Sequence, residues 1–189
     1  MEKLESVLNE ILKTGKGESI LLELDTESYL ETIIKTIKKL QKKGLSGVYV
    51  SIQRPFKNIS SLLKKEGVDL NKIIFIDVAS AVSKETQEKR KGCVHISPGL
   101  DVDELVKAIY TSTEKLKGKK FIFIDSLTTF ALYKPISETL RFSEFLMRAV
   151  KDEKNMILIL ILNVAKDLSH KKFIQDVVVH ADKIIEVKI

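Results

Sequence analysis

The sequence predicts an α/β fold, a three-layer α/β/α arrangement around a mostly parallel central sheet. Three observations predict it. Short apolar runs, each too short for a helix, recur along the 189-residue chain and end in polar turn residues. They alternate with helical stripes, so that the order through Asp77 is strand, helix, strand, helix, strand. The run Lys120-Phe121-Ile122-Phe123-Ile124-Asp125-Ser126 places four large apolar residues in succession, as a strand buried on both faces of a parallel sheet does. Asp125 then arrives at the carboxyl end of that strand, where open α/β sheets hold their ligands.

The elements follow in order. Leu4, Val7, Leu8, Ile11 and Leu12 form a helical stripe, which Gly15 and Gly17 end. Gly15-Lys16-Gly17 precedes the first strand, so it is not a phosphate loop, which must follow one. Ser19 to Leu24 is that strand, and Asp25-Thr26-Glu27-Ser28 supplies capping residues. Tyr29, Ile33, Ile34, Ile37 and Leu40 mark a helix to about Lys43, stopped by Gly44. Val48 to Ile52 is the second strand, with Gln53-Arg54-Pro55 as its exit turn. Phe56, Ile59, Leu62 and Leu63 make a helix that ends at Gly67, and Ile73 to Asp77 is the third strand.

Residues 80–100 read as a polar excursion, with Cys93-Val94-His95-Ile96 as a minor strand inside it. Val102 to Leu116 is a helix with Asp101 and Asp103 near its start. It leads into the Phe121 strand. No element is assigned over Thr128 to Lys134. Pro135 opens a helix through Val150, Met156 to Leu162 is another buried strand, and Phe173 to Val178 is a short helical or extended piece. His180-Ala181-Asp182 is a turn, and Lys183 to Ile189 is a terminal strand. The expectation is one domain over residues 1–189, with residues 1–17 as its N-terminal helix and turn and about six main strands.

Composition excludes several classes. Apolar residues at 44% and charged residues at 31% describe a globular chain, not a disordered one. The net charge of +6 comes from lysines scattered over almost every helix, which is a solvated surface and not a nucleic-acid groove. Lys84, Lys89, Arg90 and Lys91 cluster, but no stacking aromatics interleave with them, so nucleic acid is not the expected partner. One cysteine, no apolar leader segment and no run long enough for a bilayer point to the cytoplasm and to no membrane. Abundant Glu and Lys, with no Trp and few Met or Cys, lean towards a heat-adapted source.

Several pieces together resemble the KaiC-like branch of the RecA-type P-loop ATPases, as found in archaeal stand-alone proteins. Glu18-Ser19-Ile20-Leu21-Leu22 is similar to the family's first strand, and Gly47-Val48-Tyr49-Val50-Ser51-Ile52 to its second, which is entered through a Gly. Phe121 to Thr128 resembles its Walker B strand, and His180 to Val187 its closing strand. The resemblance covers nearly the whole chain and implies a RecA-like sheet, side-by-side assembly and an ATP–Mg²⁺ site at the sheet's carboxyl edge.

Two departures change what is expected of that site. The family's first strand leads into G-x-x-x-x-G-K-[ST], whose backbone and Lys cradle phosphates. Here the same place reads Glu23-Leu24-Asp25-Thr26-Glu27-Ser28-Tyr29-Leu30, with three carboxylates, no Gly and no Lys. Unit like charges about 4 Å apart repel by about 4 kcal/mol at an effective dielectric near 20, which is roughly a thousandfold in affinity. Where the family commonly has a water-activating Glu pair, this chain has Gln53-Arg54, and an amide cannot take a proton from water.

The leading expectation is therefore a non-catalytic domain of this fold, not an enzyme. It would act by protein contacts, with itself or with an active homologue, in a regulatory or assembly role. The alternative is a sensor of a nucleotide, cation or small ligand, and the third is a nucleic-acid accessory protein. The candidate residual ligand site is Asp25, Thr26, Glu27, Ser28, Gln53, Arg54, Asp125 and Ser126. Within it Asp125 is the one metal-ligand candidate, set against a plain role capping the loop that follows it. Glu23, Asp25, Glu27 and Asp125 would hold a cation if they converged. No resident cofactor is expected, with weak ATP–Mg²⁺ binding the point to test. Cys93, His95, His170 and His180 are too sparse in sequence for a zinc site. Ser126 lacks the G-x-S-x-G setting of a nucleophile.

Overall fold

A computed structural model describes residues 2–83, 91–152, 154, 156–168 and 172–187. The elements run α1 (Glu2–Thr14), β1 (Glu18–Leu24), α2 (Tyr29–Lys42), β2 (Ser46–Ser51), α3 (Phe56–Lys65), β3 (Ile73–Asp77), α4 (Val78–Ser83) and β4 (Cys93–His95). They continue with α5 (Val102–Lys115), β5 (Lys120–Asp125), α6 (Leu127–Tyr133), α7 (Ile136–Ala149), β6 (Ile157–Ala165), α8 (Lys172–His180) and β7 (Lys183–Val187). The sheet is ordered β4-β3-β2-β5-β6-β1-β7, and every pairing is parallel.

This is an α/β fold with a RecA-like sheet. Side-chain alternation along the strands splits the core into two layers. Phe121 and Phe123 join Tyr49, Leu22 and the buried faces of α1, α2 and α3. Ile122 and Ile124 join Val48, Val50 and the faces of α4 through α8. α1 is part of the first layer, with Leu4, Leu8 and Ile11 fully buried and Lys183 paired to Glu10 at 3.0 Å. Gly47 is required by packing, because a Cβ there would lie 2.3 Å from the Phe121 ring. At the sheet's other end, the backbone N–H and hydroxyl of Ser19 donate to Asp182, at 2.8 and 2.7 Å, tying the start of β1 to the turn before β7.

The described residues form seven strands, the six main ones and the minor strand Cys93–His95, which pairs with β3. Four sequence expectations are corrected. The excursion at 80–100 begins as helix α4 and ends as a sheet edge, while Lys84, Lys89 and Arg90 lie outside the described residues and Lys91 is exposed. Residues 127–133, left unassigned, form α6, with Ser126 as its cap accepting from the Thr129 N–H at 3.2 Å. β6 runs to Ala165, beyond Leu162, because Asn163 sits inside the sheet between apolar neighbours. The Asp25–Ser28 segment makes no side-chain cap on α2. Among the described residues, no helix is long and apolar enough to cross a membrane.

Candidate functional site

The carboxyl ends of the strands carry a row of polar side chains on the α1–α3 face. Ser51 pairs in register with both Asp77 and Asp125. One residue past the Ile124–Leu162 pair, Asp125 lies beside Asn163. Asn163 is fully buried, and neither atom of its amide has a hydrogen-bond partner among the described residues.

Asp125 has no exposed surface. The Tyr29 hydroxyl donates to one of its carboxylate oxygens and the Tyr49 hydroxyl to the other. Tyr49 reaches it from β2, its ring stacked on Phe123 at 5.2 Å. Tyr29 reaches it from the first turn of α2. The Asp125 backbone carbonyl is also used, accepting from the N–H groups of Ile52 and Gln53 at 2.8 and 3.2 Å. Burial pushes the Asp125 carboxyl above the usual carboxylate range, while the two tyrosine hydrogen bonds and the Arg54 charge pull it partly back. Burial, followed by the Asp125 charge, pushes both phenols far above their ordinary range, so they remain donors.

Both side-chain oxygens of Asp125 are therefore taken up by tyrosine hydroxyls and do not cap the helix after it. Ser126 caps α6 instead. The four carboxylates do not converge. Glu23 shares the face of Leu21, opposite to Asp125. Asp25 pairs with Lys166 at 3.5 Å, and Glu27 is exposed. Asp25, Thr26, Glu27 and Ser28 line one surface cleft with Asp167.

Thr26, Gln53, Arg54 and Ser126 meet in a second cleft of about 250 Å³, with Leu24, Tyr29, Thr128, Thr129, Leu132 and Ala165 completing its wall. Among the described residues, no carboxylate lines it. The Arg54 guanidinium lies 5.7 Å from the Tyr29 ring centre, within cation–π range. Its buried Nη1 has no hydrogen-bond partner among the described residues. The Ser126 hydroxyl lies 2.9 Å from those of Thr128 and Thr129.

The structure thus brings together four of the eight residues expected from sequence, puts Asp125 beneath them and leaves three to the neighbouring cleft, which Thr26 also borders. Sequence reasoning missed Tyr29 and Tyr49 as site residues, since apolar periodicity gives each an ordinary core position. It also missed Thr128 and Thr129, because α6 was unassigned.

The family described as KaiC ATPase matches residues 33–189, a span that leaves Glu23–Leu30 outside it. No curated protein matches the chain significantly. Two solved structures from Pyrococcus horikoshii share the fold. A protein in complex with an unknown peptide is 16% identical with a TM-score of 0.71, over 92% of this chain and 78% of its own. A KaiC-like protein from this hyperthermophilic archaeon is 17% identical with a TM-score of 0.64, over 92% and 74%.

Proposed function

The chain belongs to the KaiC ATPase family, and from that premise we propose that it is a non-catalytic member acting through protein contacts in a regulatory or assembly role. The observation that carries this reading is the state of Asp125. In a working P-loop enzyme an Asp at that strand end helps hold Mg²⁺ against the phosphates. Here both of its oxygens accept from tyrosines and none of it meets solvent. The segment where a phosphate loop would lie has three carboxylates and neither Gly nor Lys. Beside it, α6 and α7 expose Leu132 at 77%, Ile136 at 54% and Tyr133 at 50%, an apolar surface suited to a protein partner. A second copy or an active homologue is the partner to test first.

The test is phosphate release from ATP with Mg²⁺. The expected result is no turnover above buffer, unchanged by Asp125→Asn. Mg²⁺-dependent turnover that Asp125→Asn abolishes would overturn the reading.

One observation favours a second reading, a small-anion sensor. The 250 Å³ cleft is below the roughly 300–1,000 Å³ of drug-sized ligand sites. Arg54 lines it together with hydroxyl and amide groups and, among the described residues, no carboxylate. Inorganic phosphate is expected to bind in the millimolar range, about −4 kcal/mol. Arg54→Ala is expected to weaken it about tenfold or more, as loss of a charged hydrogen bond does. Calorimetric titration checks this, and equal binding by the variant would remove the reading.

A further inference from the structure

We propose that Asp77, Cys93 and His95 form a binding site for a divalent metal of the zinc class at the β3–β4 edge of the sheet. β3 and β4 pair in parallel with Asp77 beside His95 and Phe75 beside Cys93. Cys93 and His95 are two residues apart on one strand, so their side chains share a face. Phe75 and Cys93 both pack into the α1–α3 layer, which puts Asp77 and His95 on that same face. The carboxylate oxygen, thiol sulfur and imidazole nitrogen lie within 4.8 Å of one another. Asp77 Oδ2 is 4.0 Å from His95 Nδ1.

Tetrahedral zinc holds sulfur at about 2.3 Å and nitrogen or oxygen at about 2.0–2.2 Å. These lengths put neighbouring ligand atoms roughly 3.3–3.8 Å apart, so the three donors close on an ion by about 1 Å. Side-chain rotation at Cys93 and His95, both half-buried on an edge strand, supplies that movement. Asp77 is the fixed member. It is 2% exposed, and the Phe56 N–H, the Ser80 N–H and the Ser80 hydroxyl all donate to it. Such outer hydrogen bonds orient a ligating carboxylate and strengthen the site. Sulfur with imidazole selects zinc over magnesium or calcium, which take oxygen donors. Three protein ligands leave a fourth position for water. Asp77 is two strands away from Asp125 and Cys93 and His95 are three, so the site lies apart from the nucleotide region and does not rest on the function proposed above.

The full-length protein, stripped with a chelator, is titrated with Co²⁺ and then Zn²⁺. One equivalent of Co²⁺ is expected to give a thiolate-to-metal charge-transfer band and the visible bands of a tetrahedral site, both removed by Zn²⁺. Cys93→Ser and His95→Ala change half-buried edge residues and leave Asp77 and its hydrogen bonds in place, so both variants fold. Each is expected to weaken zinc at least about tenfold in chelator competition. Absence of the thiolate band, or zinc affinity unchanged in either variant, overturns the proposal.

Discussion

Replacing Asp125 by Ala is expected to destabilise the fold by about 2–5 kcal/mol. The carboxylate is the shared acceptor of two buried tyrosine hydroxyls, one from α2 and one from β2. Each hydroxyl left without a partner costs about 1–3 kcal/mol, and the removed volume adds a cavity term. Release from burying a charge offsets part of this, which sets the lower bound. Asp125→Asn keeps the size and one acceptor, and its amide can donate to the second hydroxyl, so a loss under about 1.5 kcal/mol is expected. Urea unfolding midpoints check the order. An Ala variant as stable as the parent would refute the anchoring role.

The same residue gives a pH signature. Its folded pKa is raised by burial above the ordinary value of about 3.9. Between that value and the folded pKa, the folded chain holds a proton that the unfolded chain has released. The contribution of Asp125 to stability is therefore full below about pH 4 and is lost as pH rises through the folded pKa. Asp125→Asn does not titrate. The margin by which the parent exceeds it in melting temperature is expected to shrink as pH rises from about 4 to 7. A margin that grows with pH would mean that the carboxylate is stabilised as the anion.

Gly47→Ala is expected to cost about 3 kcal/mol, the upper part of the overpacking range. The new methyl would stand 2.3–2.4 Å from three atoms of the Phe121 ring. Phe121 has no exposed surface, and Gly47 pairs with it in register on the neighbouring strand. The ring is held within the α1–α3 layer and cannot withdraw without moving the strand that carries Asp125. Phe121→Leu makes room, so the double variant is expected to recover part of the loss. A double-mutant cycle reads that coupling. Additive effects would show that the two residues do not compete for the same space.

Most of the elements were legible in the sequence, since each is written in a local pattern. Ile73 to Asp77 is a run of four apolar residues and a carboxylate, and it is strand β3 as read. The α5 helix begins at its Asp101 cap, with Glu104 N–H donating to that side chain at 2.8 Å. The elements that escaped lack such a pattern. Seven residues of α6 are too few to display a helical period, and Asn163 interrupts the apolar run that marks β6.

The chemistry at the sheet edge was decided only by tertiary structure. Composition and order alone place Asp125 at a strand end and show neither lysine nor glycine over Glu23–Leu30. They do not say that Tyr29 and Tyr49, 96 and 76 residues away, close over its two oxygens. Nor do they bring Asp77 to Cys93 and His95, which takes the parallel pairing of β3 with β4. Periodicity reports which face of its own element a side chain occupies. Which side chains meet across elements depends on strand order and register, and those are set by the packing of the whole sheet.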